Sequence, residues 1–267
     1  MTPAAMLPDA QFRAEYAAHR ASEGRGYAGA ALFALPYLER GAHARQWAVR
    51  ARTFDAFMRR VIAPAVRAGE RPRVLDLGAG NGWLAWRVSL AGCDAMAVDL
   101  RDDAVDGLAA GAPLAARAPF HRVAATFDAL PLRDASYDVV LFNASLHYAV
   151  DLPAVLREAA RVVRPGGRLL VLDSPFYALA RDGDAMVAEK HREGTARYGE
   201  RAAALLAVPC VEYLTAARLA EATADSGLAW RRRRVRYPLW YELRGAVAFL
   251  RGRRAPSRFD LWETIVR

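Results

Sequence analysis

Residues 73–89 read RVLDLGAGNGWLAWRVS, an apolar run that reaches an acid, passes three glycines and continues at helical spacing. Arg73 to Leu77 has the unbroken apolar character of a strand buried on both faces, and Leu84, Ala85 and Val88 share one side of a helix. The stretch 76–82 is therefore the strand-to-helix turn of an α/β unit. Glycine at 78, 80 and 82 removes Cβ atoms that would block a ligand and permits positive φ, and the helix start offers free backbone N–H groups. The pattern is D-x-G-x-G-x-G, with the acid inside it, rather than the G-x-G-x-x-G of dinucleotide sites. A carboxylate at Asp76 repels a diphosphate and suits a ligand that carries an ammonium group and no phosphate. A nicotinamide-dependent reductase is disfavoured on the same grounds.

The sequence VLDLGAGNG resembles motif I of the class I S-adenosylmethionine-dependent methyltransferases, and the resemblance extends over roughly residues 73–173. It implies a Rossmann-like, doubly wound α/β fold with a seven-stranded, mostly parallel sheet whose last strand is antiparallel. It also implies S-adenosylmethionine as cofactor, with Asp76, Gly78, Ala79 and Gly80 in the binding turn. A second strand at 95–100, AMAVDL, ends in Asp99 and Leu100, where an acid accepts hydrogen bonds from ribose hydroxyls. After a third strand at 120–124, the turn TFDALP offers Asp128, or Thr126 by spacing from Pro131, as adenine ligand, with Phe127 packed on the ring. A fourth strand, YDVVLFN at 137–143, brings Asn143 and the following ASLHY loop to the carboxyl end of the sheet.

Upstream, Trp47, Ala51, Phe54, Met58 and Val61 make one apolar stripe on a helix over 42–63. Arg50 falls at the edge of that stripe, and either reaches the methionine carboxylate of the cofactor or stays solvated. The segment 1–72, with a further helix over 1–21, reads as a helical N-terminal lid ahead of a core at 73–267. Beyond Asp99, Arg101 to Asp103 begin a helix. Asp151 caps another, in which Leu152, Val155, Leu156, Ala159 and Val162 share a face until Pro165 and its two glycines stop it. A fifth strand follows at 168–173. Residues 174–212 are too long and helix-prone for a plain connection and form a cap insertion over the acceptor. A sixth strand spans 228–237, a basic helical insertion 238–257, and a last strand 259–266.

The net charge of +9 suggests nucleic acid until it is located: eleven arginines against three acids lie in the last forty residues, leaving +1 for the rest. Strand alternation would split Arg231 to Arg234 between two faces, which weakens a single RNA-binding patch and keeps RNA methylation as an alternative only. An arginine-flanked amphipathic helix containing Trp240 offers a peripheral contact with an anionic membrane; a solvated helix packed on the sheet is the alternative. No apolar run is long enough for a membrane span, and Asp9, Arg13 and Glu15 interrupt any leader, which predicts a cytoplasmic protein. The two cysteines have no motif spacing, so neither a disulfide framework nor a metal site is indicated.

Methyl transfer is an in-line displacement that depends on alignment, with a base only where the acceptor must lose a proton. His147 in the loop after the fourth strand is the first candidate base, or else a packed residue of that loop. Tyr148, with His191 and Tyr177 in the cap, follow it, and Asp173 could orient a base or bind the acceptor. The tetrapeptide NASL at 143–146 lacks the proline-containing pattern of enzymes that methylate amino groups of DNA, which favours a small-molecule or lipid-linked acceptor. A cofactor-binding partner subunit without catalysis is the alternative from another class.

Overall fold

The structure is a computed structural model that describes residues 24, 26–199 and 210–267. The helix expected over 1–21 lies outside these. Seven strands form one sheet in the order β3-β2-β1-β4-β5-β7-β6: β1 Arg73–Leu77, β2 Asp94–Asp99, β3 His121–Ala124, β4 Tyr137–Asn143, β5 Val163–Leu172, β6 Arg231–Arg233 and β7 Leu261–Ile265. Every pairing is parallel except those of β7, which runs antiparallel to both β5 and β6. Strands β1 and β4 are buried almost end to end, because helices cover both faces of a parallel sheet.

The helices are α1 Gly29–Ala34, α2 Ala44–Phe57, α3 Ala63–Arg67, α4 Trp83–Leu90, α5 Ala112–Ala115, α6 Leu152–Val162, α7 Ala180–Tyr198, α8 Ala216–Ala222, α9 Leu239–Glu242 and α10 Arg244–Leu250. One apolar layer joins α2 and α4 to the sheet through Phe54, Phe57, Trp83 and Leu84; the opposite layer joins α6 and α8 through Leu156, Ala159 and Leu219. Trp83 sits edge-to-face with both Trp47 and Phe54, at 5.6 and 5.4 Å between centroids, which clamps α2 over the start of α4. The expected stripe on α2 is thus the face that meets the core. Between α2 and α3 the helix widens into a π-turn, Met58–Ile62. Pro64 lies just beyond it, lacks an N–H and crowds the carbonyl one turn back, and a widened turn relieves both problems.

Several sequence expectations shift. Val163 already belongs to β5, whose pairing with β4 jumps register between Tyr137 and Val139, so Pro165 to Gly167 lie inside an irregular strand rather than before it. After β2 there is no continuous helix: the Asp103 side chain takes the N–H groups of Val105 and Asp106, and Gly107, Gly111 and Pro113 break the rest of the connection into a 3₁₀ turn and the short α5. β6 is three residues long instead of ten, the insertion helix is divided at Leu243 into α9 and α10, and β7 is shorter than 259–266.

The arginines of β6 are all exposed on the sheet's edge. Arg232 meets Asp260 and Arg233 meets Glu263, while Arg258 meets Glu242. Asp260, itself buried, also takes the Val235 N–H at 3.0 Å. Five of the eleven arginines in the C-terminal segment, Arg232, Arg233, Arg234, Arg254 and Arg258, thereby pair with acids of the same chain. Asp260→Ala should cost roughly 1.5–3 kcal/mol, the range for a hydrogen bond to a charged group, read as a lower urea midpoint with an unchanged slope.

Candidate active site

Register sets the site. Leu77 lies opposite Val98 on one side and Phe142 on the other, and Asn143 lies opposite Leu172. The carboxyl ends of β1, β2, β4 and β5 therefore align, and Asp76, Asp99, Asn143 and Asp173 stand along a single edge. The order of connection reverses between β1 and β4, the place where open α/β sheets bind ligands.

Asp76 is buried, and neither of its carboxylate oxygens has a hydrogen-bond partner. Burial pushes its carboxyl up to about 8, and the nearby Asp99 charge adds to the rise. Such a group is stable only when protonated or when a cation arrives. The ammonium of S-adenosylmethionine is a cation of the right kind, so this end of the site fits that cofactor. Gly78, Gly80 and Gly82 all have positive φ, as the turn pattern predicts. At Gly78 the reason for glycine is partly the protein itself, since a Cβ would stand 2.3 Å from Cβ of Ser145 and 3.0 Å from the Phe127 ring. Ser145 also donates to the Leu77 carbonyl at 2.5 Å, which fastens the loop after β4 to the end of β1.

Asp99 accepts from the N–H of Gly80 at 2.8 Å and of Arg101 at 2.9 Å. Two of its roughly four lone-pair positions are thus used to shape the turn, leaving the others for donors such as ribose hydroxyls. Burial raises its carboxyl above the ordinary range despite those bonds. Phe127 packs edge-on against Phe142 at 5.7 Å, next to the glycine turn. Ala79 is buried, and Leu100, Asp128 and Asn143 are half-buried.

A second cluster lies at the end of β5. His147, in a 3₁₀ turn after β4, has Nδ1 3.4 Å from Oγ of Ser174 and its ring 4.3 Å from that of Tyr148. Burial, with the cations Lys190 and Arg50 adding to it, pushes the imidazole down to about 3, so it is neutral at physiological pH. Arg50 is half-buried with its guanidinium 4.9 Å over Trp47. Its charge lowers the pKa of both His147 and Asp173. Lys190 of α7 reaches Glu212 at 2.7 Å, and the Glu212 N–H donates to the His147 carbonyl, which ties the cap to the loop. His191, its neighbour in sequence, is exposed beside a shallow hollow lined by Arg192, Thr195 and Ala196, and Tyr148 is also exposed. Tyr177 is buried against Tyr213 and Arg254. The structure therefore joins Arg50, His147 and Asp173 but not His191. Thr53 and Tyr237, unforeseen from sequence, complete this cluster. Their only signal was a polar residue on the apolar side of α2.

Residues 75–171 match the family described as methyltransferase domain. The demethylmenaquinone methyltransferase of Mycolicibacterium paratuberculosis is 39% identical over 127 residues, which are 47% of this chain and 52% of that protein. The chain thus spans about half the length of the curated relatives it matches. Among solved structures, the magnesium protoporphyrin IX methyltransferase of Synechocystis superposes with a TM-score of 0.56 at 15% identity, covering 96% of this chain and 97% of that one. The geranyl diphosphate C-methyltransferase of Streptomyces coelicolor gives 0.55 at 15% identity, covering 88% of each. These two likenesses speak to the fold.

The raised carboxyl of Asp76 has a thermodynamic sign. The folded protein holds the proton more tightly than the unfolded chain, so stability falls as pH climbs from the ordinary aspartate range toward 8, by up to about 1.4 kcal/mol per unit of pKa displacement. Asp76→Asn carries no charge at any pH. It should raise the thermal midpoint at pH 8, leave it nearly unchanged at pH 4, and abolish calorimetric binding of S-adenosylmethionine at both.

Proposed function

We propose that this chain, which belongs through residues 75–171 to the class I S-adenosylmethionine-dependent methyltransferases, transfers a methyl group to a hydroxylated, quinol-type or lipid-linked small molecule. The observation that carries the cofactor assignment is the buried, partnerless carboxylate of Asp76 beside the glycine turn. Support for the acceptor class comes from the demethylmenaquinone methyltransferases it resembles. When bound, S-adenosylmethionine supplies an electrophilic methyl group on a positively charged sulfur. In this reading Asp76 holds the ammonium and the turn at Gly78, Ala79 and Gly80 accommodates the ligand closely. Asp99 and Leu100 border the ribose, and Phe127 with Asp128 border the adenine. Asn143, His147 and Tyr148 stand at the reacting end, with Arg50 closing that end from α2. Alignment by these groups contributes most of the rate, on the order of 7–11 kcal/mol in favourable intramolecular comparisons.

An apolar acceptor needs a route from a lipid phase, and α9 with α10 supplies a surface for one. Leu239, Phe249 and Leu250 are 73%, 83% and 82% exposed, and Trp240, Leu243 and Val247 are exposed beside them. Exposed Arg251 and Arg253 follow at the end of α10. Apolar side chains bordered by arginines match an anionic lipid surface. Arg45 of α2 lies 5.9 Å from the Trp240 ring, which places this surface next to the helix that carries Arg50 and Thr53. Among the described residues no helix is long and apolar enough to cross a membrane, so the contact is peripheral. We place the protein on the cytoplasmic side.

Two measurements test this reading. Parallel titration with S-adenosylmethionine, S-adenosylhomocysteine and NADH should show binding of the two sulfur nucleotides alone; binding of NADH alone overturns it. Phe249→Ser combined with Leu250→Ser should weaken sedimentation with phosphatidylglycerol vesicles by roughly tenfold or more, from the lost apolar burial, with cofactor binding intact. Equal sedimentation of the variant would remove the lipid contact.

A further inference from the structure

The end of β5 holds a buried acid that the cofactor assignment does not use. Asp173 is the first residue beyond β5, with φ +51°, a left-handed conformation uncommon for aspartate. That geometry turns the chain sharply at the sheet edge, where Ser174 comes within 3.4 Å of the His147 ring. Asp173 is only 6% exposed, and its Oδ1 has no hydrogen-bond partner. Its neighbours come from three directions. From α2, the Thr53 hydroxyl and the Arg50 charge both favour the ionised carboxyl. From the segment before α9 and from α9 itself, Tyr237 and Tyr241 feel its charge. From the loop after β4, His147 stands across Ser174.

The hydroxyl side of this cluster is closed by the protein. Thr53 Oγ1 lies 2.8 Å from the Tyr237 hydroxyl, and Tyr237 donates to the Phe259 carbonyl. Thr53 is fully buried and Tyr237 nearly so. These hydroxyls therefore satisfy one another and the backbone carbonyls of Val49 and Phe259, while Oδ1 of Asp173 is held dry and unpaired. A buried carboxylate with an open acceptor position, in the field of a guanidinium, is suited to receive a proton from a weakly acidic hydroxyl. His147 is poorly suited to that work because burial and two cations disfavour the imidazolium it would become on taking the proton.

Resting on the methyltransferase reading above, we propose that Asp173 is the proton acceptor for the substrate: it binds and deprotonates an acceptor hydroxyl, with Arg50 facing the resulting oxyanion and Thr53 and Tyr237 positioning the carboxylate. The hydroxyl proton passes to Asp173 and later to water. The electron pair so released, on oxygen or on a ring carbon conjugated with it, forms the new bond to the methyl carbon, and the methyl–sulfur bond breaks with its pair kept by sulfur. Where carbon is the attacking atom, that carbon's own proton leaves as the aromatic hydroxyl is restored. No oxidant or reductant is required. Consistent with this role, burial raises the Asp173 carboxyl to about 6 while Arg50 and Thr53 restrain the rise, so the group is mainly ionised at neutral pH and still basic enough to take a proton.

The test separates this inference from the reading beneath it. S-adenosylmethionine and S-adenosylhomocysteine share the ammonium that faces Asp76 and differ in the charge on sulfur. Calorimetry at pH 6 in two buffers of different ionisation enthalpy should show S-adenosylmethionine releasing roughly 0.3–0.5 proton more than S-adenosylhomocysteine, because a cation favours ionisation of the acid near it. In Asp173→Asn that difference should vanish while both nucleotides still bind. With demethylmenaquinol as acceptor, kcat of the same variant should fall on the order of 10²–10⁴-fold, and the acidic limb of its pH profile should disappear. Thr53→Val, which removes the restraining hydroxyl, should move that limb and the proton-release midpoint to higher pH. A release difference that survives in Asp173→Asn, or a limb unmoved by both substitutions, overturns the assignment. Failure of wild-type protein to bind either nucleotide overturns the methyltransferase reading itself.

Discussion

A carboxylate kept out of water without a partner is an unstable thing to build, and the sheet edge is arranged around one. Asp76 lies at the dry end of the central strand, between neighbours that offer it no hydrogen bond. The adjacent Asp99 makes matters worse electrostatically, yet its own oxygens bind the Gly80 and Arg101 N–H groups and so hold the turn in shape. Ser145 then locks the β4 loop to β1, and the room for it exists only because residue 78 has no side chain. A cation filling the gap would relieve that cost, which in the proposed reading couples ligand selection to the fold itself.

Most of this was legible in the chain because the features are local. β1 and β4 fall at the residues their apolar runs indicate, and Asp151 caps α6 through the Ala154 N–H as its position suggests. What sequence could not supply were the outcomes of competition. The segment after β2 looked helical until the Asp103 side chain took its first N–H groups. The segment 228–237 looked like a full strand, but only three of its residues pair, because Asp260 captures the Val235 N–H that would have continued the ladder. Likewise the acceptor cluster joins residues 184 positions apart through one hydroxyl contact, a separation at which no spacing rule operates. His191 shows the converse: its residue type suits proton transfer, whereas its place on α7 faces the surface.

Charge followed the same division between composition and placement. A basic tail of eleven arginines would suit phosphates if it were free, but in three dimensions Asp260, Glu263, Glu242 and Glu189 engage five of these guanidinium groups at the surface. The ion pairs orient the C-terminal segment so that the apolar side of α9 and α10 is turned outward. Exposed pairs of this kind contribute little stability individually. Their service here is geometric, since they determine which surface of the insertion remains uncovered.

The edge strand β6 carries a consequence for self-association. Sheets with long, flat, apolar margins invite a second copy to add its own strand. Here the margin ends after three residues, all of them arginines, two already engaged with acids in β7 or just before it. A neighbouring copy approaching this side would find too short a ladder and a fence of long cationic side chains. Among the described residues, the sheet margin at β6 therefore offers an added strand little backbone to pair with.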